Sequence, residues 1–293
     1  MLLIDHLTRS ARHCVPLGIQ WRLYDCPKKF HEAWKTLLQQ HIDAGHLCPS
    51  NSPHSSLAFI ILKADPTALP QWVNNFCELN LNTVPDNHPL PKIEEISCDC
   101  TKGRIFAKID MTYAFFQTNV HPDDVKWLAV HIPWGLYEWS VVMPMGVRNA
   151  PAVHQQCMVS ALQHLIGMIC HFYLDDIIIW SPTLEEHMQN VHTVLQALRE
   201  ATLFCSLKKT QLFCTEVLFL GHKVSAQGID TDPDKVSRIL DWPVPHSVNE
   251  MCSFLGLVHY IADHIPNLVE HTRILNALTT KTMELKFPTW TPD

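Results

Sequence analysis

The chain has 293 residues, of which 47% are hydrophobic and 17% charged, so it is long enough for one large packed domain or two smaller ones. This composition excludes a disordered chain, and no uninterrupted apolar run approaches the roughly 18 residues of a membrane span. The formal net charge is −7 and the pI about 6.2, whereas a protein that binds nucleic acid is more often basic.

The cysteines and the N-terminus favour an intracellular protein. The 11 cysteines show no repeated spacing, and the pair Cys98 and Cys100 has no second pair at the distance of a zinc finger. Asp5 interrupts the apolar start MLLIDHLTRS and no basic residue precedes it, so we expect no signal peptide. We therefore expect reduced thiols rather than a disulfide framework.

The first elements predicted along the chain are a helix and a strand, after about 25 residues without a clear period. The segment CPKKFHEAWKTLLQQHIDAG has helical periodicity and reaches a C-terminal stop at Gly45. Its predicted apolar face contains Phe30, Trp34, Leu37, Leu38, His41 and Ile42. A loop, CPSNSPHSS, follows, and the β-branched and aromatic residues of LAFIILK then predict a strand.

The middle of the chain alternates predicted strands and helices. GRIFAKIDM predicts a strand that ends in Asp110, and VKWLAVHIPWGLYEWSVVMP predicts a hairpin around PWGL. The next helix is predicted to start at an Asn149 cap, with Pro151 in its first turn. Its predicted apolar face contains Val153, Cys157, Ala161, Leu162 and Leu165. HFYLDDIIIW predicts two short strands about a tip that carries Asp175 and Asp176.

Helix-start patterns mark the last third of the chain. Thr183 and Glu186 form a capping box that opens a helix. The predicted apolar face of this helix contains Leu184, His187, Met188, Val191, Val194, Leu195 and Leu198. VLFLGHKVS predicts a strand or a tight hairpin, and two more helices are predicted to open at Asp232-Pro233 and at a second capping box that begins at Ser247.

Residues 104–224 therefore follow the order strand, helix, strand–turn–strand, helix, strand, with a long hairpin inserted after the first strand. This order fits a split βαβ sheet with two helices on one face. Such a sheet would bring Asp110 and the tip of HFYLDDIIIW onto neighbouring strands, although 175 − 110 = 65 residues separate Asp110 from Asp175.

Three carboxylates at adjacent strand ends would suit a hard divalent cation. Mg²⁺ prefers carboxylate oxygens together with substrate phosphates. Two such ions, roughly 4 Å apart, activate a hydroxyl and stabilise an in-line displacement at phosphorus. The alternative is a surface β-turn, where aspartate is common, although the apolar flanks HFY and IIIW make that alternative less favourable.

Around these residues the sequence resembles the reverse transcriptases of gypsy-type LTR retrotransposons (Metaviridae), of the fungal kind. The resemblance runs from about residue 22 to the end of the chain, in the family's order and spacing. The matching blocks are PSNSPHSSLAFIILKADP, LNTVPDNHPLPKIEEI, FAKIDMTYAFFQ, YEWSVVMPMGVRNAPAVHQ, YLDDIIIWS, KKTQLF and FLGHKVSAQGI. The resemblance implies an RNA-directed DNA polymerase that transfers nucleotides from dNTPs to a primer 3′-hydroxyl with two metal ions.

The implied fold is α+β, a right-hand polymerase with fingers, a palm built on a ferredoxin-like split βαβ sheet, and a helical thumb. The implied parts are a segment of unclear structure (1–25), the first part of the fingers with the approach to the palm (26–102), the first palm strand (103–117), a fingers hairpin (118–149), the palm with the YLDD hairpin and primer grip (150–226), and thumb or connection helices (227–293). The chain is expected to end before an RNase H domain.

The catalytic residues implied by the resemblance are Asp110, Asp175, Asp176 and Lys209. Asp110 and Asp175 would bridge two Mg²⁺ ions, for which Mn²⁺ can substitute, and the backbone carbonyl of Met111 would add a ligand. Asp176 would support the site. Lys209 matches a lysine proposed to protonate the departing pyrophosphate.

The resemblance also implies residues that bind substrates. Those for dNTP binding are Lys63, Gln71, Met111, Ala114, Phe115, Met145, Gly146, Gln155 and Tyr173. Phe115 would lie beneath the sugar and reject a ribose 2′-hydroxyl; taken without the resemblance, it is more simply a core phenylalanine. The implied primer grip is Phe219, Leu220, Gly221 and His222. Candidate cations of the nucleic-acid cleft are Lys28, Lys29, Lys63, Arg148, Lys208, Lys209 and Lys223.

The fingers depart from the family pattern. Lys63 matches a lysine that holds the γ-phosphate, but QWVNNFC stands where the family has a string like R-W-V-N-D-Y-R. Gln71 and Cys77 thus replace two arginines, and Asn75 replaces an aspartate. Because glutamine supplies no charged bidentate fork to phosphate, an alternative is a catalytically weakened or inert relic that at most binds nucleic acid.

The implied partners are an RNA or DNA template with its primer and dNTPs, with no membrane. RNase H, protease and integrase are expected on a parent polyprotein and absent here. The expected location is intracellular, in cytoplasmic virus-like particles with a nuclear phase. A Mg²⁺-dependent nuclease or cyclase on a similar palm is a third interpretation, which gives no reason for KKTQ, FLGH and the fingers blocks to occur together.

Overall fold

The structure is a computed structural model that describes residues 26–63, 65, 68–284, 286–288 and 290. The predicted segment 1–25 lies outside the described residues. The strands are β1 (Leu47–Pro49), β2 (Ser56–Ile61), β3 (Gln71–Asn75), β4 (Ile105–Asp110), β5 (Ala129–Ile132), β6 (Gly135–Trp139), β7 (Cys170–Tyr173), β8 (Asp176–Ser181), β9 (Gln211–Cys214), β10 (Glu216–Phe219), β11 (His222–Ser225) and β12 (Gly228–Thr231). The helices are α1 (His31–Asp43), α2 (Cys77–Leu81), α3 (Ile93–Cys100), α4 (Ala150–Leu162), α5 (Leu184–Glu200), α6 (Pro233–Leu240), α7 (Val248–Tyr260) and α8 (Leu268–Ala277).

A five-stranded sheet joins two segments that are distant in the chain, in the order β1-β6-β5-β2-β3. The predicted PWGL hairpin is β5–β6. The predicted strand LAFIILK overlaps β2, which pairs in parallel with β5. Helix α1 packs on this sheet through Trp34 and Leu38, in a core shared with Trp139 and Phe76. Two residues of the predicted α1 face are thus fully buried, and its other four are half-buried.

A pair of histidines lies at the edge of this core. The Nδ1 atoms of His41 and His46 are 3.3 Å apart, and the His41 ring packs edge-on against Trp72 and Trp139. Burial, assisted by the neighbouring His46, lowers the pKa of His41 to about 4. Burial also lowers the pKa of His46. The folded chain therefore favours the neutral form of both imidazoles.

We predict that acid destabilises this part of the fold. Below about pH 6.5 the unfolded chain binds a proton at His41, whereas the folded chain binds it only near pH 4. The free energy of unfolding is therefore unaffected by His41 above pH 6.5 and decreases as the pH falls from 6.5 towards 4. After allowance for partial exposure, the loss is roughly 2 kcal/mol. Urea unfolding measured from pH 7.5 to 4.5 tests this. His41→Phe should flatten the pH dependence, and His192→Gln on the exposed face of α5 should not; parallel curves for His41→Phe and the wild type would contradict the prediction.

The four-stranded sheet has the order β7-β8-β4-β9, and each neighbouring pair is antiparallel. This is the predicted split βαβ arrangement, with the β7–β8 hairpin beside β4. Helices α4 and α5 share one core with this sheet, in which Met158 and Leu162 of α4 meet Val194 and Leu198 of α5. The prediction of two helices on one face is confirmed, and the fold is α+β.

The hairpin alternative for VLFLGHKVS is confirmed, but the prediction that this segment supplies the last strand of the split βαβ sheet is wrong. Strand β9, in TQLFC, occupies the fourth position, whereas VLFLGHKVS forms the hairpin β10–β11 of a separate sheet. That sheet is completed by β12. Its core residues Val217 and Phe219 pack against Phe106 and Trp180 on the other face of the four-stranded sheet.

Two helix predictions need correction. Asn149 does not cap α4 with its side chain; instead Oδ1 accepts a hydrogen bond from the amide of Asp86 and Nδ2 donates to the carbonyl of Val84. Asn149 therefore ties the proline-punctuated segment to the start of α4. On α5, three residues of the predicted apolar face are largely exposed: Leu184, Met188 and Leu195. The buried face is narrower than the pattern indicated.

The other predicted helix starts are confirmed. The side chains of Thr183, Asp232 and Ser247 accept backbone hydrogen bonds at the starts of α5, α6 and α7. The described cysteines from Cys48 onwards have free thiols. In the described part of the chain, no helix combines the length and the apolar character needed to cross a bilayer.

Candidate active site

The three predicted carboxylates lie at one end of the four-stranded sheet. Asp110 ends β4 and is directly opposite Asp176, the first residue of β8. Because side chains alternate along a strand, Phe106, Lys108 and Asp110 face away from the helices, while Ala107 and Ile109 pack against them. The alternation therefore directs both aspartates to the side of the sheet that carries β10–β11.

Asp175 occupies the tight turn between β7 and β8. Leu174, the first turn residue, has φ 54°, a left-handed conformation that is unusual for leucine. The turn is held from two sides. The amide of Met111 donates to the carbonyl of Asp175 at 2.9 Å, and the amide of Leu174 donates to Oε1 of Gln155 at 3.4 Å. These bonds fix the exposed Asp175 beside Asp110.

Two lysines offset part of the negative charge of this cluster. Lys108 Nζ lies 3.2 Å from Oδ1 of Asp176, and Lys209 Nζ lies 3.1 and 3.2 Å from the two carboxylate oxygens of Asp110. Burial raises the pKa of Asp176, the charges of Asp175 and Asp110 add to that effect, and Lys108 opposes it. The hydrogen bond to Asp110 raises the pKa of Lys209. Positive charge is therefore favourable at this end of the sheet.

The donor atoms suit a divalent cation, but the side chains are not yet arranged around one. Carboxylates and a backbone carbonyl are the ligands that Mg²⁺ takes. Among the described residues, no three histidine, cysteine, aspartate or glutamate side chains converge closely enough to hold a metal ion. Asp110 and Asp176 each face a lysine ammonium group in this arrangement. The donor atoms of these residues nevertheless fit the ion.

Lys108 was missed by the sequence prediction. It stands two residues before Asp110, so the two-residue period of a strand places both on one face. That period would have identified Lys108 as a neighbour of the site.

His154 was also missed. Its side chain on α4 is completely buried, and its ring packs edge-on against Phe115 at a centroid distance of 5.8 Å. Burial lowers the pKa of His154, whereas Leu174 and Asp175 raise it, so the imidazole lies close to the carboxylate turn. No residue pattern distinguishes it from an ordinary core position.

Four predicted dNTP residues follow Asp110 closely in the chain or pair with Asp176, and they pack in three different cores. Ala114 and Phe115 lie in a 3₁₀ turn, Ala114–Gln117, that follows Tyr113 at φ 46°. Met111 and Ala114 are buried in the core beneath the sheet, and Phe115 is half-buried against the core of the five-stranded sheet. Tyr173 is half-buried and pairs with Asp176 across the β7–β8 hairpin.

Gln155 is buried on α4 and accepts a hydrogen bond from the amide of Leu174. The other four predicted dNTP residues lie on the five-stranded sheet and its loops. Lys63 follows β2 and Gln71 begins β3, and both side chains are exposed. Gln71 pairs with Ile61, which places it near Lys63 at the same end of the hairpin. Met145 and Gly146 are exposed in a loop that is anchored by the bond from Asn80 Nδ2 to the Gly146 carbonyl at 2.8 Å.

The predicted primer-grip residues form the β10–β11 hairpin. Phe219 is buried and pairs with His222 across a two-residue turn, Leu220-Gly221. A cavity of about 570 Å³ lies between this hairpin and the carboxylates. Its lining includes Lys108, Asp110, Lys209, Glu216 and Lys223. Of the predicted cleft cations, Lys209 and Lys223 thus line the cavity, and Lys223 is paired with Glu216 at 2.8 Å.

The other predicted cleft cations lie elsewhere. Lys28, Lys29 and Lys208 are exposed. Arg148 donates from Nη1 to the carbonyl of Asn80 at 3.2 Å.

Comparisons with known proteins identify the family and the fold of this chain. Residues 66–224 match the family described as "Reverse transcriptase (RNA-dependent DNA polymerase)". The chain is 33% identical over 259 residues to the retrovirus-related Pol polyprotein from transposon opus of Drosophila melanogaster. This alignment covers 87% of this chain and 26% of that protein. It is 31% identical over 262 residues to the Pol polyprotein from transposon gypsy of the same organism, covering 86% of this chain and 25% of that one.

A yeast relative and two solved structures extend the likeness. The Tf2-3 transposon polyprotein of Schizosaccharomyces pombe is 30% identical over 271 residues, 92% of this chain and 20% of that protein. A foamy viral protease-reverse transcriptase in complex with RNA/DNA hybrid has a TM-score of 0.82 at 22% identity, over 96% of this chain and 37% of that one. The same viral protein in complex with double-stranded DNA has a TM-score of 0.82 at 23% identity, over 92% of this chain and 46% of that one. The likeness confirms the predicted fold, and the chain spans about a quarter of the curated relatives.

Proposed function

Because the chain belongs to the reverse transcriptase (RNA-dependent DNA polymerase) family, we propose that it is the polymerase domain of a gypsy-type LTR retrotransposon Pol polyprotein. The observation that carries the proposal is the pairing of Asp110 with Asp176 across β4 and β8, with Asp175 in the adjoining turn. The proposed reaction is attack of a primer 3′-hydroxyl on the α-phosphorus of a dNTP, which releases pyrophosphate.

The proposed roles follow from the placement of the side chains. The family generally uses divalent metal ions, which when bound would activate the hydroxyl and stabilise charge on the phosphate. Asp110, Asp175 and Asp176 would hold these ions, with the Met111 carbonyl. Lys209 lies at Asp110, where its ammonium could donate a proton to the departing pyrophosphate once the ion pair opens.

The order of strands in the two larger sheets supports a division into fingers, palm and thumb. The five-stranded sheet combines β1–β3 with β5–β6, as fingers formed by residues 26–102 and 118–149 would require. The four-stranded sheet would then be the palm and α6–α8 the thumb. Partners would be a primed RNA or DNA template, as the foamy viral complexes with RNA/DNA hybrid and DNA suggest by analogy. The intracellular location stays a prediction.

Primer extension tests the proposal. The purified chain is incubated with poly(rA)/oligo(dT), Mg²⁺ and either dTTP or UTP. The proposal expects extension with dTTP that greatly exceeds extension with UTP. If the chain binds the duplex but extends no primer with either Mg²⁺ or Mn²⁺, the inert relic becomes the better interpretation.

Phe115 is predicted to control the choice of sugar. Its ring is held between the core of the five-stranded sheet and His154. The ring therefore cannot move aside to make room for the 2′-hydroxyl of a ribonucleotide. We expect Phe115→Val to raise the ratio of UTP to dTTP incorporation by about 10- to 100-fold, the range typical of a steric pocket change. The ratio is measured by single-nucleotide extension, with Phe213→Leu on β9 as the control, because a β-branched residue would be strained at the φ of 57° found there. An unchanged ratio in Phe115→Val would assign Phe115 to the core alone.

A further inference from the structure

The turn of the β10–β11 hairpin is held by two side chains that come from later helices. Tyr260, the last residue of α7, donates a hydrogen bond from Oη to the carbonyl of Leu220. Lys235 of α6 places its ammonium group 3.3 Å from the centre of the Tyr260 ring. A cation over an aromatic face is an attractive contact, so the lysine and the tyrosine support each other.

The turn has no spare room on this side. Leu220 has φ 48° and Gly221 has φ 68°, so both turn residues adopt the left-handed conformation of a tight hairpin. A Cβ at Gly221 would lie 2.0 Å from Nζ of Lys235 and 3.1 Å from Oη of Tyr260. The ammonium group therefore occupies the space that a side chain would take. The leucine conformation is unfavourable by itself, and the bond from Tyr260 helps to stabilise it.

Two histidine rings extend the contact between the turn and Tyr260. His222, which follows the turn, stacks on Tyr260 with ring centres 5.7 Å apart and planes 18° apart. His264, just beyond α7, has its ring centre 5.9 Å from that of His222. The turn is thus joined to α6, to α7 and to the residues after α7 by adjacent contacts.

The same hairpin is fixed to the carboxylate sheet. Val217 and Phe219 of β10 pack in one core with Phe106 of β4 and with Ile178 and Trp180 of β8. The turn therefore has a rigid connection to Asp110 and Asp176 on one side and to the C-terminal helices on the other.

We propose that Tyr260 and Lys235 are positioning residues that lock the Leu220-Gly221 turn to the C-terminal helices. This inference rests on the proposed polymerase function, because it assigns to the lock the placement of the primer 3′ end. Nucleotidyl transfer depends steeply on the distance between the hydroxyl and the phosphorus, and a displacement of about 1 Å can cost about 100-fold in rate. A loosened turn would therefore slow the addition step, whereas contacts along the duplex would keep the primer bound.

The experiment compares the full chain with Tyr260→Phe, Lys235→Met and Lys235→Arg. The control is Lys126→Met, which removes another lysine over an aromatic ring, at 5.3 Å from Trp127. The rate of single-nucleotide addition to poly(rA)/oligo(dT) is measured at saturating protein, and the Kd of a fluorescent primer–template is measured without dNTP. We expect Tyr260→Phe and Lys235→Met to lower the rate about tenfold and to leave Kd within about twofold. Lys235→Arg, which keeps the cation over the ring, should restore most of the rate, and Lys126→Met should resemble the wild type.

Amide hydrogen exchange at residues 220–223 supplies a readout that does not depend on catalysis. Exchange should be faster in Tyr260→Phe and Lys235→Met than in the wild type, and near the wild-type rate in Lys235→Arg. Unchanged exchange in the first two variants overturns the lock. Faster exchange with an unchanged addition rate overturns its role in primer placement. If the wild type itself extends no primer, the proposed function fails, and the exchange experiment still decides whether the lock exists.

Discussion

Asp110→Asn is expected to lower the rate of primer extension by at least about 10³-fold, with little effect on folding. The amide has nearly the shape of the carboxylate but lacks its charge, so it cannot bind a divalent cation with comparable strength. It also leaves Lys209 without its partner at 3.1 Å, which adds an uncompensated positive charge to the site. Primer extension and thermal unfolding, measured on the same preparation, separate loss of chemistry from loss of structure.

Asp99→Asn is the matched control for this substitution. Asp99 is also paired with a lysine, Lys102, at 2.6 Å, and with His171, but it lies on α3 away from the carboxylate turn. We expect Asp99→Asn to retain activity within a few-fold. An Asp110→Asn chain that keeps a tenth or more of the wild-type rate would show that this carboxylate is not part of the chemistry.

Gln71→Arg is expected to raise the extension rate by about 100-fold, the opposite direction from most substitutions. Losing one contact to a transition-state phosphate typically costs about 10²- to 10³-fold, and arginine restores a charged, bidentate donor. Gln71 is exposed at the start of β3 and lies opposite Ile61, so an arginine can extend into solvent beside Lys63 without disturbing the core. The measurement is steady-state extension at subsaturating dTTP.

Two further variants sharpen this prediction. Gln40→Arg, on the exposed side of α1, adds the same charge outside the strand and should leave the rate unchanged. Gln71→Lys adds a charge without the planar fork and should give a smaller gain than Gln71→Arg. Equal and robust activity in the wild type and in Gln71→Arg would show that the QWVNNFC strand does not limit the reaction.

The local chain conformations could be predicted where residue type alone specifies them. The capping residues Thr183, Asp232 and Ser247 and the alternation in IFAKID act within a few residues, so the sequence contains all of the information. Asn149 shows the limit of such patterns. An asparagine before a helix normally caps it, but here two backbone partners some 65 residues earlier in the chain compete successfully for its amide.

The placement of charges required the folded chain. Lys108 and Asp176 are 3.2 Å apart because β4 and β8 pair in one particular register, which the composition of either strand does not specify. The fourth strand of the sheet is β9 rather than VLFLGHKVS for a similar reason. Both segments have strand propensity, and only packing of Val217 and Phe219 against Phe106 assigns the second one to a separate sheet.

The sequence by itself determined the family resemblance, the α+β class and the candidate carboxylates, because these depend on residue types and short spacings. Only the tertiary structure brought Asp110 opposite Asp176, set two lysines against them, and joined Tyr260 and Lys235 to the Leu220-Gly221 turn. Tyr260 and Lys235 are 25 positions apart in the chain, and Tyr260 and Leu220 are 40 positions apart. Contacts over such distances arise when sheets and helices pack against one another, and no local pattern of residues records which surfaces will meet.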